Sequence, residues 1–255
     1  MILLIDTSQE TATAALTREG KVLCSEENKI SKEHASWLHT AIGRLLAEAD
    51  ITLGELLAVA VIAGPGSYTG LRVGIAAAKG FCYALKIPLI TLNTLEVMAE
   101  SMRDFAEHKG ALICPMIDAR RDEVFTALFS SSLKPKAESL KPSTVNRQPS
   151  TVNRQPSTVN HLRSSVIDIK EILQPQALIL DKNAFEMQLS KDKIIFFGSG
   201  AEKWEKITES SSAIFETQPN ILQAFVKLAQ QEFISGNWAD TVYSEPIYLK
   251  EFFTY

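Results

Sequence analysis

The glycine-rich stretch Gly64-Pro65-Gly66-Ser67-Tyr68-Thr69-Gly70-Leu71-Arg72-Val73-Gly74 holds the residues of this chain best suited to meet a ligand through their backbone. Glycine takes positive φ without strain and proline fixes its own φ, so Gly-Pro-Gly after an apolar run predicts a tight turn. Ser67 or Thr69 can then cap the helix that starts there. Along that helix Gly70, Gly74 and Ala78 recur every four residues and leave one face almost bare of side chains. Glycine inside a helix costs about 1 kcal/mol relative to alanine. Two on one stripe imply that something approaches the backbone closely, either a phosphate at the helix N-terminus or another helix.

Other reactive side chains are scattered. His34 and His39 are five apart, which turns about 140° around a helix and puts them on different faces. His108 and His161 have no neighbours able to share a ligand, and no Ser-His-Asp or Cys-His arrangement stands out for nucleophilic work. Cys24, Cys82 and Cys114 are odd in number, widely spaced and set in apolar surroundings, so they read as reduced core thiols.

The elements that must carry these residues alternate between strand and helix. Apolar runs at 1–7 (ending in Asp6-Thr7-Ser8), 12–17, 22–26, 56–63 and 88–92 predict strands. A helix is expected from a Ser31 cap to about Ala49. Its Leu38, Ile42 and Leu45 form a seam fit either for another helix or for the chain's own sheet. A second amphipathic helix carries Leu95, Met98, Ala99, Met102 and Phe105. A strand at 111–118, a turn at 119–122 and a strand at 123–129 then repeat the opening hairpin. At an offset of 112 residues Ile5-Asp6 falls on Ile117-Asp118, and Ala15-Leu16 on Ala127-Leu128. Two lobes follow from this, residues 1–110 and 111–255. In the second we expect a helix at 167–173, a strand at 193–197 leading through Gly198-Ser199-Gly200 into a short helix around Trp204, a helix over 220–235, and an extended tail.

The second lobe is interrupted at 131–165. Pro142-Ser143-Thr144-Val145-Asn146-Arg147-Gln148 is repeated identically at 149–155 and begins again at Pro156. One apolar residue per heptad and a proline in each copy exclude a coiled coil and predict a solvated, disordered insert. Lys134, Lys136, Lys141, Arg147, Arg154 and Arg163 stand there against Glu138 alone, so a basic arm is attached to an acidic body. The chain as a whole has a formal net charge of −4, which does not favour general binding of nucleic acid. Its 255 residues, 45% apolar and 22% charged, describe a globular protein with no apolar run of membrane-spanning length. The first residues lead directly into a strand without a basic leader, so no signal peptide is expected, and the three reduced thiols point to a cytoplasmic location.

Asp6-Thr7-Ser8 after a first strand, the repeated strand-Asp hairpin and the late Gly-x-Gly before a helix together resemble the actin-like ATPase (ASKHA) architecture. In that architecture two hairpins grip phosphates, and Asp6 and Asp118 stand where carboxylates would hold a magnesium ion. The turn Thr7-Ser8-Gln9-Glu10 nevertheless offers neither glycine nor lysine to a phosphate. The Gly64–Gly74 stretch, Ile117-Asp118-Ala119-Arg120, Gly198-Ser199-Gly200-Ala201-Glu202-Lys203-Trp204 and Glu245-Pro246-Ile247-Tyr248-Leu249-Lys250 give four landmarks in order. They resemble the bacterial TsaB (YeaZ) family, the dimerisation subunit of the tRNA threonylcarbamoyladenosine machinery. Its sister family TsaD, the catalytic subunit, has an Asn-His-x-x-x-His run that supplies two metal ligands. Here Asn93-Thr94-Leu95-Glu96-Val97-Met98 puts Thr94 and Met98 at those places, and neither suits a hard catalytic metal.

The resemblance implies a non-catalytic subunit without cofactor or metal, dimeric alone and heterodimeric with TsaD. The ATPase TsaE would act on the pair, and tRNA would be the substrate of the complex. The expected partner interface is Leu38, Ile42, Leu45, Gly70, Leu71, Gly74, Ile75 and Ala78, so that Gly74→Leu would abolish pairing without unfolding the monomer. Two other readings stay open at this point: a stand-alone actin-fold ATPase or phosphotransferase, and a metallopeptidase-like hydrolase.

Overall fold

Continuous apolar sequence becomes the centre of each of two mixed five-stranded sheets. A computed structural model describes residues 1–30, 33–131 and 169–250. In the first sheet β1 (Ile2–Asp6) and β4 (Ala58–Gly64) run parallel side by side and are buried along their whole length. Both faces of a central strand are covered, so no polar alternation is needed. Outside them lie β2 (Ala12–Arg18), β3 (Lys21–Asn28) and β5 (Leu89–Asn93), giving the order β3-β2-β1-β4-β5.

The second sheet contains β6 (Leu112–Asp118), β7 (Glu123–Ser130), β8 (Lys170–Ile179), β9 (Ile194–Phe197) and β10 (Ala213–Phe215), in the order β10-β9-β6-β7-β8. From its other edge this is the first sheet again. β6 pairs antiparallel with β7 and parallel with β9, as β1 does with β2 and β4. The offset repeat seen in the sequence is therefore a repeat of topology.

One expected element is corrected. Of the helix foreseen at 167–173, residues 170–173 belong to β8, where Leu173 faces Leu128 and Glu171 faces Phe129. The ladder to β7 completes the sheet at the place β3 holds in the first, and this tertiary pairing outweighs local helix propensity. The short β10 and a one-turn helix α4 (Glu186–Leu189) had no sequence forecast. The insert expected at 131–165 lies almost wholly outside the described residues.

Helices α1 (His34–Glu48) and α2 (Tyr68–Leu85) cover one face of the first sheet. Ser67 caps α2, its Oγ accepting from the Gly70 N–H at 3.3 Å. Glu33 precedes α1 without a side-chain cap, and Ser31 lies outside the described residues. α4 and α5 (Ala201–Glu205) cover one face of the second sheet around Trp204.

The remaining two helices depart from the expected division at residue 110. α3 (Thr94–Lys109) follows β5, yet its Leu95, Met98, Ala99, Met102 and Ala106 pack with Ile113, Ile117, Ile195 and Phe197 of the second sheet. α6 (Leu222–Ser235) follows β10, yet its Phe225, Leu228 and Ala229 pack with Ile2, Leu4, Ala60 and Ile90 of the first. α3 also keeps Val97 in the first sheet's core, so it bridges the two sheets, whereas α6 packs on the first.

Candidate functional site

The Gly64-Pro65-Gly66 turn forms where β4 ends. Gly64 has φ +117°, and a Cβ there would stand 2.7 Å from the Ile247 carbonyl oxygen. At Gly66 a Cβ would stand 2.2 Å from the Ser8 carbonyl oxygen, which accepts the Ser67 N–H at 2.7 Å. Glycine is required at both positions by close backbone contact within the chain. The tail lies over this turn. Ile247 N–H donates to the Ala63 carbonyl at 2.7 Å, Tyr248 packs against Tyr68 at 5.2 Å, and the Arg72 guanidinium sits 4.6 Å above the Tyr68 ring.

The bare stripe on α2 faces inward, which corrects the expected interface. A Cβ at Gly70 would lie 2.0 Å from the Thr7 carbonyl oxygen, and one at Gly74 would lie 2.4 Å from Thr7 Oγ1. The object that approaches the helix is the end of β1. Thr7 itself donates its hydroxyl to the Gly70 carbonyl at 2.7 Å. Leu38, Ile42, Leu45, Gly70, Leu71, Gly74, Ile75 and Ala78 are all buried in this chain's own interior. The seam and the stripe were assigned to the wrong partner because a helix needs small residues wherever it comes close to backbone, its own sheet included.

Outward, the same two helices present different residues. On α2 these are Thr69, Ala76, Gly80, Tyr83 and Ala84, and on α1 Ser36, His39, Thr40, Gly43 and Ala47, all exposed. A Cβ at Gly43 or at Gly80 would meet nothing within 4 Å. His39 leans on Phe81 with ring centroids 5.8 Å apart, joining the helices across this face. The period-four spacing that picked out Gly70 and Gly74 also runs through Ala76, Gly80 and Ala84, on the opposite side of the helix.

The two hairpin aspartates have opposite surroundings. Asp6 is 3% exposed, and its Oδ1 accepts the Ser8 N–H at 2.8 Å and the Ser8 hydroxyl at 2.7 Å. Burial pushes its pKa up, against those bonds and the nearby His34. Asp118 is exposed, and its Oδ1 accepts the Arg120 N–H and the Lys203 ammonium, each at 2.6 Å. Partial burial works to raise its pKa, but Lys203 and Arg120 together hold it below the ordinary carboxylate value. The Asp–x–(N–H) turn is thus repeated in both lobes, while the charge is answered in only one.

Thr94 and Met98, which the resemblance sets against two histidine ligands, are fully buried. Thr94 Oγ1 donates to the Pro65 carbonyl at 2.7 Å, tying α3 to the glycine turn. Met98 packs against Gly198, where a Cβ would come within 2.7 Å of its terminal methyl carbon. Of the histidines, His34 is bracketed by Asn28 Nδ2 at 3.3 Å and the Gln9 carbonyl at 3.2 Å. Among the described residues no group of three or more His, Cys, Asp or Glu is placed to hold a metal ion, and no helix is long and apolar enough to cross a membrane.

The family described as TsaD: tRNA N6-adenosine threonylcarbamoyltransferase matches residues 27–234. The tRNA threonylcarbamoyladenosine biosynthesis protein TsaB of Haemophilus influenzae is 26% identical over 250 residues, covering 98% of this chain and 93% of that protein. The chain belongs to the TsaB (YeaZ) family. A Bacillus subtilis TsaB is 38% identical over 128 residues, 50% of this chain and 54% of that protein. YeaZ from Pseudomonas aeruginosa superposes with a TM-score of 0.67 at 22% identity, over 97% of this chain and 99% of that one, which shows a shared fold. That fold is the actin-like one. Within it, this TsaB-family chain repeats its glycine turn as well as its hairpin. Gly198 has φ +96°, and Gly200 N–H donates to the Met116 carbonyl at 3.0 Å, much as Ser67 N–H does to Ser8 in the first lobe. Sequence reasoning saw both turns without pairing them, although each lies between a strand and a helix.

Proposed function

We propose that this chain is a non-catalytic subunit of tRNA threonylcarbamoyladenosine biosynthesis, acting in the cytoplasm. It pairs with the catalytic TsaD subunit and holds it active for threonylcarbamoyl transfer to the adenosine beside the anticodon, in tRNAs reading codons that begin with A. TsaE then acts on the pair, and in the absence of TsaD two copies of this chain pair with each other. The observation that carries the reading is the use made of Thr94 and Met98. Where the sister family resembled in the sequence has histidine ligands, these side chains are spent on tying α3 to the glycine turn and on core packing.

The pairing surface in this reading is the outward face of α1 and α2 around Gly43, Ala76 and Gly80, in place of the inward stripe. Small exposed residues let two helices of another subunit come close over a wide area, where dispersion contacts accumulate. Co-purification with TsaD tests it. The wild type retains TsaD and Gly80→Arg does not, while both melt at the same temperature. A Gly80→Arg variant that still holds TsaD removes this surface. Saturable magnesium-ATP binding by the isolated chain would favour the stand-alone ATPase instead.

A further inference from the structure

α3 and α6 pack against each other, and a cavity of about 230 Å³ opens beside their contact. Glu100 of α3 lines it with a carboxylate that is only 4% exposed. One oxygen of that carboxylate is used: Oε1 accepts the Lys227 ammonium from α6 and lies 3.4 Å from Arg103 Nη1. The other, Oε2, is buried and has no hydrogen-bond partner. Buried polar atoms are almost always paired, and a charged acceptor left unmet costs more than a neutral one. The carboxylate therefore lacks a donor that something outside the chain must bring.

The same cavity has a second open requirement, of opposite sign. α6 is 14 residues long, and its first turn contributes Gln223 and Ala224 to the lining. Asn220 Oδ1 accepts the Leu222 N–H at 2.8 Å, and the Phe225 N–H donates to the Ile221 carbonyl at 2.9 Å. Among the described residues no acceptor meets the N–H groups of Gln223 and Ala224 between them. They lie at the positive end of the helix dipole, which favours an anion. The charges of the lining cancel, Glu100 and Asp104 against Arg103 and Lys227, so a net ion of either sign gains little there. A small molecule with a cationic donor at one end and an anion at the other meets both requirements at once.

We propose that the cavity between α3 and α6 binds a free α-amino acid as its zwitterion. The ammonium donates to Glu100 Oε2, and the carboxylate lies at the first turn of α6 beside Lys227. Ser101 spends its hydroxyl proton on the Met98 carbonyl at 2.6 Å, which leaves its oxygen to accept a second ammonium proton. Because α3 reaches the second sheet and α6 packs on the first, a ligand held between them ties the lobes together. Binding is then read as stabilisation of the whole chain. Nothing in this depends on how the chain pairs with TsaD.

Thermal melting of the full chain with L-alanine, N-acetyl-L-alanine and L-alaninamide tests the cavity. L-alanine carries both charges and raises the melting temperature by about 3–5 °C at ten times its dissociation constant. N-acetyl-L-alanine has lost the ammonium and L-alaninamide the carboxylate, so each binds about tenfold or more weakly. Glu100→Gln keeps an oxygen for Lys227 and turns an amide NH₂ to the cavity, which abolishes the L-alanine shift. Gln223→Trp blocks the mouth from an exposed position and abolishes it too. The absence of a shift at tens of millimolar L-alanine means that water alone fills the cavity and overturns the proposal. An equal response to either blocked probe, or a shift that survives Glu100→Gln, also overturns it. Should Glu100→Gln not fold, Gln223→Trp decides in its place, and the three probes on the wild type need no variant.

Discussion

The Thr7 hydroxyl and the Gly70 carbonyl meet at 2.7 Å across the contact between β1 and α2, and the glycine stripe exists to allow that meeting. A methyl group at Gly70 would strike the Thr7 backbone, which cannot swing away. At Gly74 it would strike only the Thr7 side chain. Gly70→Ala should therefore destabilise the isolated monomer by about 1–3 kcal/mol or more. Gly74→Ala should cost less, and should cost less still in a Thr7→Ala background. Urea unfolding of the four-member Thr7/Gly74 cycle measures the coupling. Additive changes would mean that the two side chains do not compete for the same space.

Gly74→Leu and Gly80→Leu should behave as opposites although they lie on one helix. The first drives a branched side chain into Thr7, Val61 and Ile5, and should unfold the chain or lower its melting temperature sharply. The second points into open space and should leave stability within about 0.5 kcal/mol of the wild type. If the outward face pairs with another subunit, Gly80→Leu weakens the pair as read by sedimentation. The earlier expectation that Gly74→Leu spares the monomer is reversed by this geometry.

The two hairpin carboxylates should give pH dependences of opposite sign. Lys203 and Arg120 hold the folded-state pKa of Asp118 below the ordinary aspartate value, so its contribution is present at neutral pH and is lost as pH falls through the folded value. Asp118→Asn should thus be less stable than the wild type at pH 7, with the gap closing in strong acid. Burial raises the folded-state pKa of Asp6 above the ordinary aspartate value, so stability is full below the ordinary value and is lost as pH rises from there through the folded value. Asp6→Asn keeps an oxygen for Ser8 and should be more stable than the wild type at pH 7, with the advantage vanishing in acid. Denaturant midpoints of both variants from pH 2 to pH 8 check the signs.

All three cysteines are buried and unpaired by disulfide. Burial pushes the Cys114 thiol to about 12 and Cys82 to about 11, and raises Cys24 as well. A thiol reagent at pH 8 should find almost no thiolate in the folded chain and three reactive groups after denaturation. Rapid labelling of a native cysteine would show that its surroundings open locally.

The legible parts of this molecule are those in which local pattern and tertiary role agree. β1 and β4 are continuous apolar runs because their sheet is covered on both faces, and Ser67 caps α2 as its side chain predicts. The Asp6 and Asp118 hairpins could be matched by offset since the repeat preserves both residue type and topology. What could not be read is which surface a small or apolar stripe meets. Leu38, Ile42 and Gly74 look the same in sequence whether they face a sheet or a second subunit. Lys203 was equally hidden, because its three oxygen partners lie some eighty residues upstream and two of them are backbone. Residues 170–173 misled for the reverse reason: a helical composition was overruled by a neighbouring strand.

The placement of α3 and α6 across the two sheets bears on descent. Had a half-length ancestor possessed the same packing, no single copy could have closed its own core. It would have existed as a swapped dimer, each molecule lending its terminal helix to the other. Joining two such copies end to end makes the loan internal, and thereafter the halves are free to diverge so long as neither is released. Cutting the present chain near residue 110 should return two insoluble fragments that recover only when expressed together.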